Sequence, residues 1–150
     1  MENTYDIVNS YLVKVFNGIM DIEETALRRS QFSDLSIKEM HTIEAIGLHD
    51  FCTSTEVANR LNITVGTLTV AVNNLVRKGY VERFRPEEDR RVVRLGLTKK
   101  GKLLYRLHAK FHREMVKETL VGMSEEETEI LIKGLENLHK FLFDKQSEIL

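Results

Sequence analysis

Proline occurs once, cysteine once and tryptophan not at all in these 150 residues, and glycine only eight times. With so few helix breakers the chain is expected to be mainly helical. A single thiol, Cys52, closes no internal disulfide, so the expected compartment is cytoplasmic. It reads as a buried structural thiol, the alternative being a redox switch if a helix N-terminus lowers its pKa. No apolar run approaches the ~20 residues that cross a bilayer, and the opening MENTYD lacks the charged-then-apolar order of a secretion signal. No membrane partner is expected. No Ser/His/Asp or Cys/His grouping, no carboxylate pair and no glycine-rich phosphate loop stands out, so neither an enzyme nor a cofactor is expected.

A dominant charge sign is missing as well: 22 Lys and Arg against 23 Asp and Glu leave a net charge of −1. The distribution is far from even. Residues 1–59 carry 4 basic against 10 acidic side chains, residues 60–113 carry 14 against 4, and residues 114–150 carry 4 against 9. A strongly basic middle between acidic ends points to a polyanionic partner for the middle.

What is present is a succession of helix signals. Val8, Leu12, Val15, Ile19, Ile22 and Ala26 recur at spacings of four and three, the seam of one long helix. Ser36-Ile37-Lys38-Glu39 has the form of a capping box, opening a short helix through Met40, Ile43 and Ile46 that stops at Gly47. Thr53 to Glu56 repeats the box, and only Asn62 and Ile63 separate that helix from the next start at Thr64. The following helix carries Val65, Leu68, Val72, Leu75 and Val76 inward and ends at Gly79. Two helices joined so tightly make a helix-turn-helix. Tyr80 to Phe84 then alternates as a strand, Pro86 to Asp89 forms a turn, and Val92 to Leu97 returns as a second strand. The fold class is therefore mainly α with a small β-hairpin wing, a winged helix-turn-helix.

Thr98 caps a further helix through Leu104, Leu107, Phe111, Met115 and Leu120. Ser124 caps the last one, with Leu131, Leu135, Leu138 and Leu142 along one face. The expected organisation is a single domain over residues 1–150, with a dimerisation helix at 1–32, the winged helix-turn-helix at 33–97 and dimerisation helices at 98–150. The terminal helices are too apolar to stand alone, and a homodimer buries them most economically. The alternative is that they pack on one another within a monomer.

The helix after Thr64 exposes Thr64, Gly66, Thr67, Val70, Asn73 and Asn74, with Thr69 beside them. Small groups let a helix sit deep in a major groove, methyls can meet thymine and Asn can read adenine. Its first three turns hold no Arg for bidentate guanine contacts, so an A·T-rich operator is expected. A two-fold dimer makes that operator a palindrome on double-stranded DNA. Arg85, Arg90, Arg91 and Arg94 cluster on or near the wing with Asp89 among them, and a narrow A·T minor groove attracts a guanidinium.

Asp89-x-Arg91 followed by Leu95-x-Leu97-Thr98-x-x-Gly101, after a helix ending Leu75-x-x-Lys78-Gly79-Tyr80-Val81, resembles the wing signature of the MarR family of dimeric bacterial repressors. The resemblance implies DNA contacts by Thr64, Thr67 and Thr69. It also implies that Arg91 enters the minor groove while Asp89 holds it. More narrowly, Ser36 to Ile43, Asp89 to Val93, Leu97 to Gly101 and the run Leu107-His108, Phe111-His112, Met115-Val116 are similar to the fatty-acid biosynthesis repressors of Gram-positive bacteria. That similarity implies a repressor of fatty-acid synthesis genes with acyl-acyl carrier protein as corepressor.

An acyl chain needs a long dry slot. Its expected place is between the first helix, the second and the helix after Thr98, lined by Phe16, Ile19, Met20, Met40, His41, Leu107, His108 and Phe111. Acyl carrier proteins are acidic, so Arg28, Arg29, Arg106, Lys110 and Arg113 are candidate docking charges. A competing reading uses His41, His108 and His112 with a carboxylate of the Glu23/Glu24 pair, Glu24 preferred, as zinc ligands of a zinc-responsive repressor, since imidazole and carboxylate suit that metal. Residue types and spacing leave both readings open.

Overall fold

The computed structural model describes residues 3–48 and 51–149. The first two residues of the MENTYD opening lie outside the described residues. Six helices and three short strands run in the order α1 (Thr4–Arg28), α2 (Ile37–Ile46), β1 (Cys52–Thr53), α3 (Ser54–Leu61), α4 (Val65–Lys78), β2 (Val81–Phe84), β3 (Arg94–Leu97), α5 (Lys99–Thr119) and α6 (Glu125–Ile149). They divide into two compact units, Met1–His108 and Ala109–Leu150. No helix among the described residues is long and apolar enough to cross a membrane.

Local chemistry sets the helix boundaries. Ser36 and Glu39 form the complete capping box, Glu39 N–H donating to Ser36 Oγ at 3.1 Å and Ser36 N–H to Glu39 Oε1 at 3.0 Å. Lys78 Nζ reaches the same carboxylate. Burial works against the charge on Glu39, but these hydrogen bonds and the ammonium outweigh it and hold its pKa below the ordinary range. Ser124 and Glu127 repeat the box at α6. Thr53 caps α3 through Glu56 N–H, although here the Glu56 carboxylate accepts from the Thr53 hydroxyl rather than from backbone.

The helix-turn-helix turn is two caps back to back. Asn62 adopts a left-handed conformation (φ 55°), and Ile63 N–H returns to Ala58 O at 3.0 Å, closing α3. Thr64 then caps α4 by accepting from Thr67 N–H. Gly79 (φ 88°) ends α4 in the same way, Tyr80 N–H returning to Leu75 O at 2.9 Å.

The wing departs from the sequence reading in three respects. Tyr80 belongs to the helix cap, and Val92 and Val93 precede the returning strand, so β2 and β3 are four residues each, paired Val81 to Leu97 and Phe84 to Arg94. A third strand, β1, pairs Cys52 with Leu95 and makes the sheet order β1-β3-β2. Two residues are too few to show an alternating pattern, so nothing in the sequence announces it. Val65 and Val76, read as inward, are 44% and 37% exposed. They sit on the margins of the apolar stripe, whose centre is the buried line Leu68, Val72 and Leu75.

The core of the first unit joins Leu27, Phe32 and Leu35 to Met40, Ile43 and Ile46 of α2, Val57 and Ala58 of α3, the α4 line, Tyr80, Val81, Leu95, Leu97 and Leu104. Each such side chain contributes about 1.5–3 kcal/mol by leaving water. Cys52 is buried in it, its thiol donating to Ile46 O at 3.4 Å. In contrast, α6 has no buried residue, and Leu135, Phe141, Leu142 and Phe143 are each at least half exposed. On α1, Tyr5, Val8, Tyr11, Val15 and Phe16 are likewise exposed.

Among the described glycines, Gly101 has the least room for a side chain. A Cβ there would lie 2.2 Å from the Tyr80 carbonyl oxygen, which is backbone and cannot rotate away. Replacing a helical Gly by Ala normally stabilises by about 0.5–1 kcal/mol. Here the sign should reverse. Gly101→Ala is expected to cost about 1–3 kcal/mol in urea denaturation, whereas Gly134→Ala, with open space around its Cβ, should be neutral or stabilising.

Candidate nucleic-acid interface

The outward face of α4 carries hydroxyls in defined states. Thr64 donates to Thr67 Oγ1 at 2.9 Å, and Thr69 donates back to Val65 O of its own helix at 2.9 Å. Both hydroxyl protons are therefore committed within α4, which leaves the oxygens to act as acceptors, although that of Thr64 already accepts from Thr67 N–H. Gly66 leaves the first turn without a side chain, and Val70 is 64% exposed with nothing buried to explain it. Asn74 accepts from Arg77 at 3.2 Å, and Asn73 accepts from Arg83 of β2.

At the wing, Asp89 grips Arg91 three times. Its Oδ1 accepts from the Arg91 backbone N–H at 3.1 Å and from Nε at 3.0 Å, and its Oδ2 accepts from Nη2 at 3.4 Å. The Arg91 side chain is itself 91% exposed, so the carboxylate orients a guanidinium that stands in solvent. These bonds hold the Asp89 pKa below its usual value. Arg85 Nη1 donates to Arg90 O at 2.9 Å, closing the far side of the turn. Arg94 turns instead toward β1, donating to Phe51 O at 3.1 Å. Ser54 N–H bonds Val93 O at 3.0 Å and ties the wing to the start of α3. A groove of about 340 Å³ results, lined by Thr53, Ser54, Thr55 and Thr69 on one side and by Arg83, Arg85 and Arg91 on the other.

All the α4 and wing candidates thus lie in the first unit, on α4, on the wing turn, or on strands that flank it. Arg83 was not among them. The signal was present: Arg83 lies two residues before Arg85 on the same basic stretch of the wing, and both line this groove.

The histidine candidates assemble differently. Glu23 of α1 is buried, 6% exposed, and lies 3.7 Å from His41 Nε2 and 3.8 Å from His108 Nε2. Glu44 of α2 lies 3.2 Å from His108 Nε2. Glu24, the preferred member of the Glu23/Glu24 pair in the sequence reading, is exposed and lines an apolar hollow with Met20, Leu27 and Leu35. One residue along a helix is a rotation of about 100°, so Glu23 faces inward and Glu24 does not. His112 follows His108 four residues later on α5 and stacks edge-on against Phe111. Of the acyl-slot candidates, Met40 packs in the core, Ile19, Met20 and His41 are half-buried, and Phe16 and Leu107 are at least half exposed. Phe111 belongs to the second unit.

The bond with Glu44, aided by the nearby Glu23 charge, outweighs burial and raises the His108 pKa above 6.5. A raised histidine pKa stabilises the fold fully below the ordinary value and ceases to do so as pH rises through the folded value. In chelator-treated protein, Glu44→Gln should therefore lower stability at pH 6, and the difference from wild type should shrink toward pH 9, measured by urea denaturation. A difference that does not change with pH would show that the carboxylate does not act through His108.

Comparison with known proteins fits this architecture. The MarR family model matches residues 35–93. The transcriptional regulator BilQ of Clostridium symbiosum is 32% identical over 111 residues, spanning 73% of this chain and 76% of its own. PchR of Bacillus subtilis is 24% identical over 116 residues, 75% of this chain and 69% of its own. Among solved structures, FabT of Streptococcus pneumoniae in complex with DNA superimposes with a TM-score of 0.83 at 54% identity, covering 93% of this chain and 98% of that one. The MepR–DNA complex of Staphylococcus aureus follows at TM-score 0.66 and 26% identity. This chain belongs to the MarR family: it is a winged-helix transcriptional regulator and not an enzyme.

Proposed function

We propose that the protein is a dimeric, sequence-specific DNA-binding repressor of fatty-acid biosynthesis genes. The observation that carries the reading is the pairing of a small-residue helix face on α4 with an exposed, carboxylate-oriented guanidinium at Arg91, in a chain 54% identical to a regulator solved on DNA. Thr64, Gly66, Thr67, Thr69, Val70 and Asn73 enter the major groove. Arg91, held by Asp89, enters the flanking minor groove, while Arg85 and Arg90 meet phosphates. The exposed apolar faces of α1 and α6 are covered by a second copy of the chain, which sets two half-sites of an A·T-rich palindrome. Acyl-acyl carrier protein acts as corepressor, its acyl chain entering beside Ile19, Met20 and His41. The function places the protein in the cytoplasm.

Arg91→Ala should weaken operator binding by about tenfold and reduce the salt slope by about one, read by fluorescence anisotropy across a salt series. Unchanged affinity and slope would remove the wing from the mechanism. The operator preference is checked by competition: A·T-rich duplex should displace the bound operator better than G·C-rich duplex. Long-chain acyl-acyl carrier protein should tighten binding, and free carrier protein should not.

A second reading rests on Glu23, whose two carboxylate oxygens lie one near His41 and the other near His108, with Glu44 beside His108. Two imidazoles and a buried carboxylate are a donor set that zinc accepts, and the protein would then be a zinc-responsive repressor. Zinc retained after dialysis, with operator affinity that falls on chelation and returns on readdition, would favour this reading over the acyl one.

A further inference from the structure

Asn73 projects from the exposed face of α4, and Arg83 on β2 donates to it through Nη2. Arginine carries donors only, so the amide atom facing it is the carbonyl oxygen Oδ1 and the NH2 group is turned away. An asparagine reading adenine in the major groove uses both ends of its amide, Oδ1 for the N6 amino group and the NH2 for N7. Here the acceptor end is held by a cation. Arg83 lies on β2 and Arg85 just past its end, and both line the groove between α4 and the wing, so the guanidinium reaches Asn73 from the wing side.

We propose that Arg83 is a positioning residue that sets base specificity: by holding the Asn73 oxygen it makes α4 read keto-bearing bases, thymine or guanine, rather than adenine or cytosine at the base facing Asn73. Two effects act in the same direction. The NH2 group offers a donor, which matches thymine O4 or the two acceptors of guanine, whereas adenine presents it N7 alone and the amino groups of adenine and cytosine are left without an acceptor. The positive guanidinium against Oδ1 also disfavours an approaching amino donor and favours a keto oxygen. Val70, one turn earlier on the same face, is exposed and offers a methyl to a neighbouring thymine. The proposal rests on the reading that α4 lies in the major groove. It differs from what the residue type alone suggests, because an unrestrained asparagine prefers adenine.

The test begins with selection of operators from random duplex by the full-length protein. Affinities then follow for all four bases at each half-site position, for wild type, Asn73→Ala, Arg83→Ala and Arg83→Lys. Both residues are exposed, and thermal melts check that each variant folds. The position whose discrimination disappears in Asn73→Ala should, in wild type, favour thymine or guanine by at least about fivefold. Arg83→Ala should raise adenine relative to thymine at that position alone, and Arg83→Lys, which keeps a cationic donor, should restore much of the wild-type order. Wild-type preference for adenine there overturns the proposal. So does an Arg83→Ala variant that loses affinity equally for every base, because that is the behaviour of a phosphate contact. If selection enriches no sequence at all, the DNA-reading function fails and the proposal fails with it, a result separate from enrichment with adenine at the Asn73 position.

Discussion

Tyr80 is the residue on which the first unit turns. It is fully buried, and each of its polar groups ties down a different element. Its N–H closes the end of α4 on Leu75 O, and its carbonyl accepts from Thr98 N–H at 3.0 Å just before α5. Its hydroxyl donates to Asp34 Oδ1 at 2.7 Å in the segment between α1 and α2. Its ring packs on Phe32, with the Lys100 ammonium 4.5 Å from the ring centroid. Burial and the Asp34 carboxylate push the phenol pKa up, so the donor is retained at any working pH. Because a buried polar group without a partner costs about 1–3 kcal/mol, α4, the wing strand and the start of α5 cannot shift independently around this point.

That constraint gives the DNA face its form. The position of α4 follows from its buried line and its Gly79 cap, and β2 begins one residue after Tyr80, so helix and wing leave one anchor in set directions. Lys78 strengthens it by bridging α4 to Glu39, whose own role is to cap α2. On such a base, small polar side chains on α4 and long guanidinium groups on the wing are complementary tools. In the proposed function the former allow close approach to base edges, and the latter carry charge to phosphates and to a narrow groove. The Asp89–Arg91 and Arg83–Asn73 pairs do similar work on a smaller scale, each using one charged group to orient a neighbouring side chain.

Much of this was legible in the sequence because it is local. Ser36-x-x-Glu39, Thr64, Asn62 and Gly79 act on backbone within a few residues, and their effect is the same wherever the chain goes next. The charge asymmetry along the chain is equally plain. What was hidden is whatever depends on a partner distant in sequence. The two-residue strand β1 exists only because β3 offers it a ladder. Glu23 and Glu24 are neighbours of identical chemistry, and only the packing of α1 decides that Glu23 meets His41 and His108.

The sequence alone therefore determined the order of the helices and of the two wing strands, the caps that bound them and the concentration of positive charge on the wing, since propensity, capping and charge are properties of short stretches. Tertiary structure decided which donors and acceptors remain to act on a partner. Asn73 is an asparagine on an exposed helix face in either description. Its amide is oriented by Arg83, ten residues away along the chain, because strand β2 folds back beside α4.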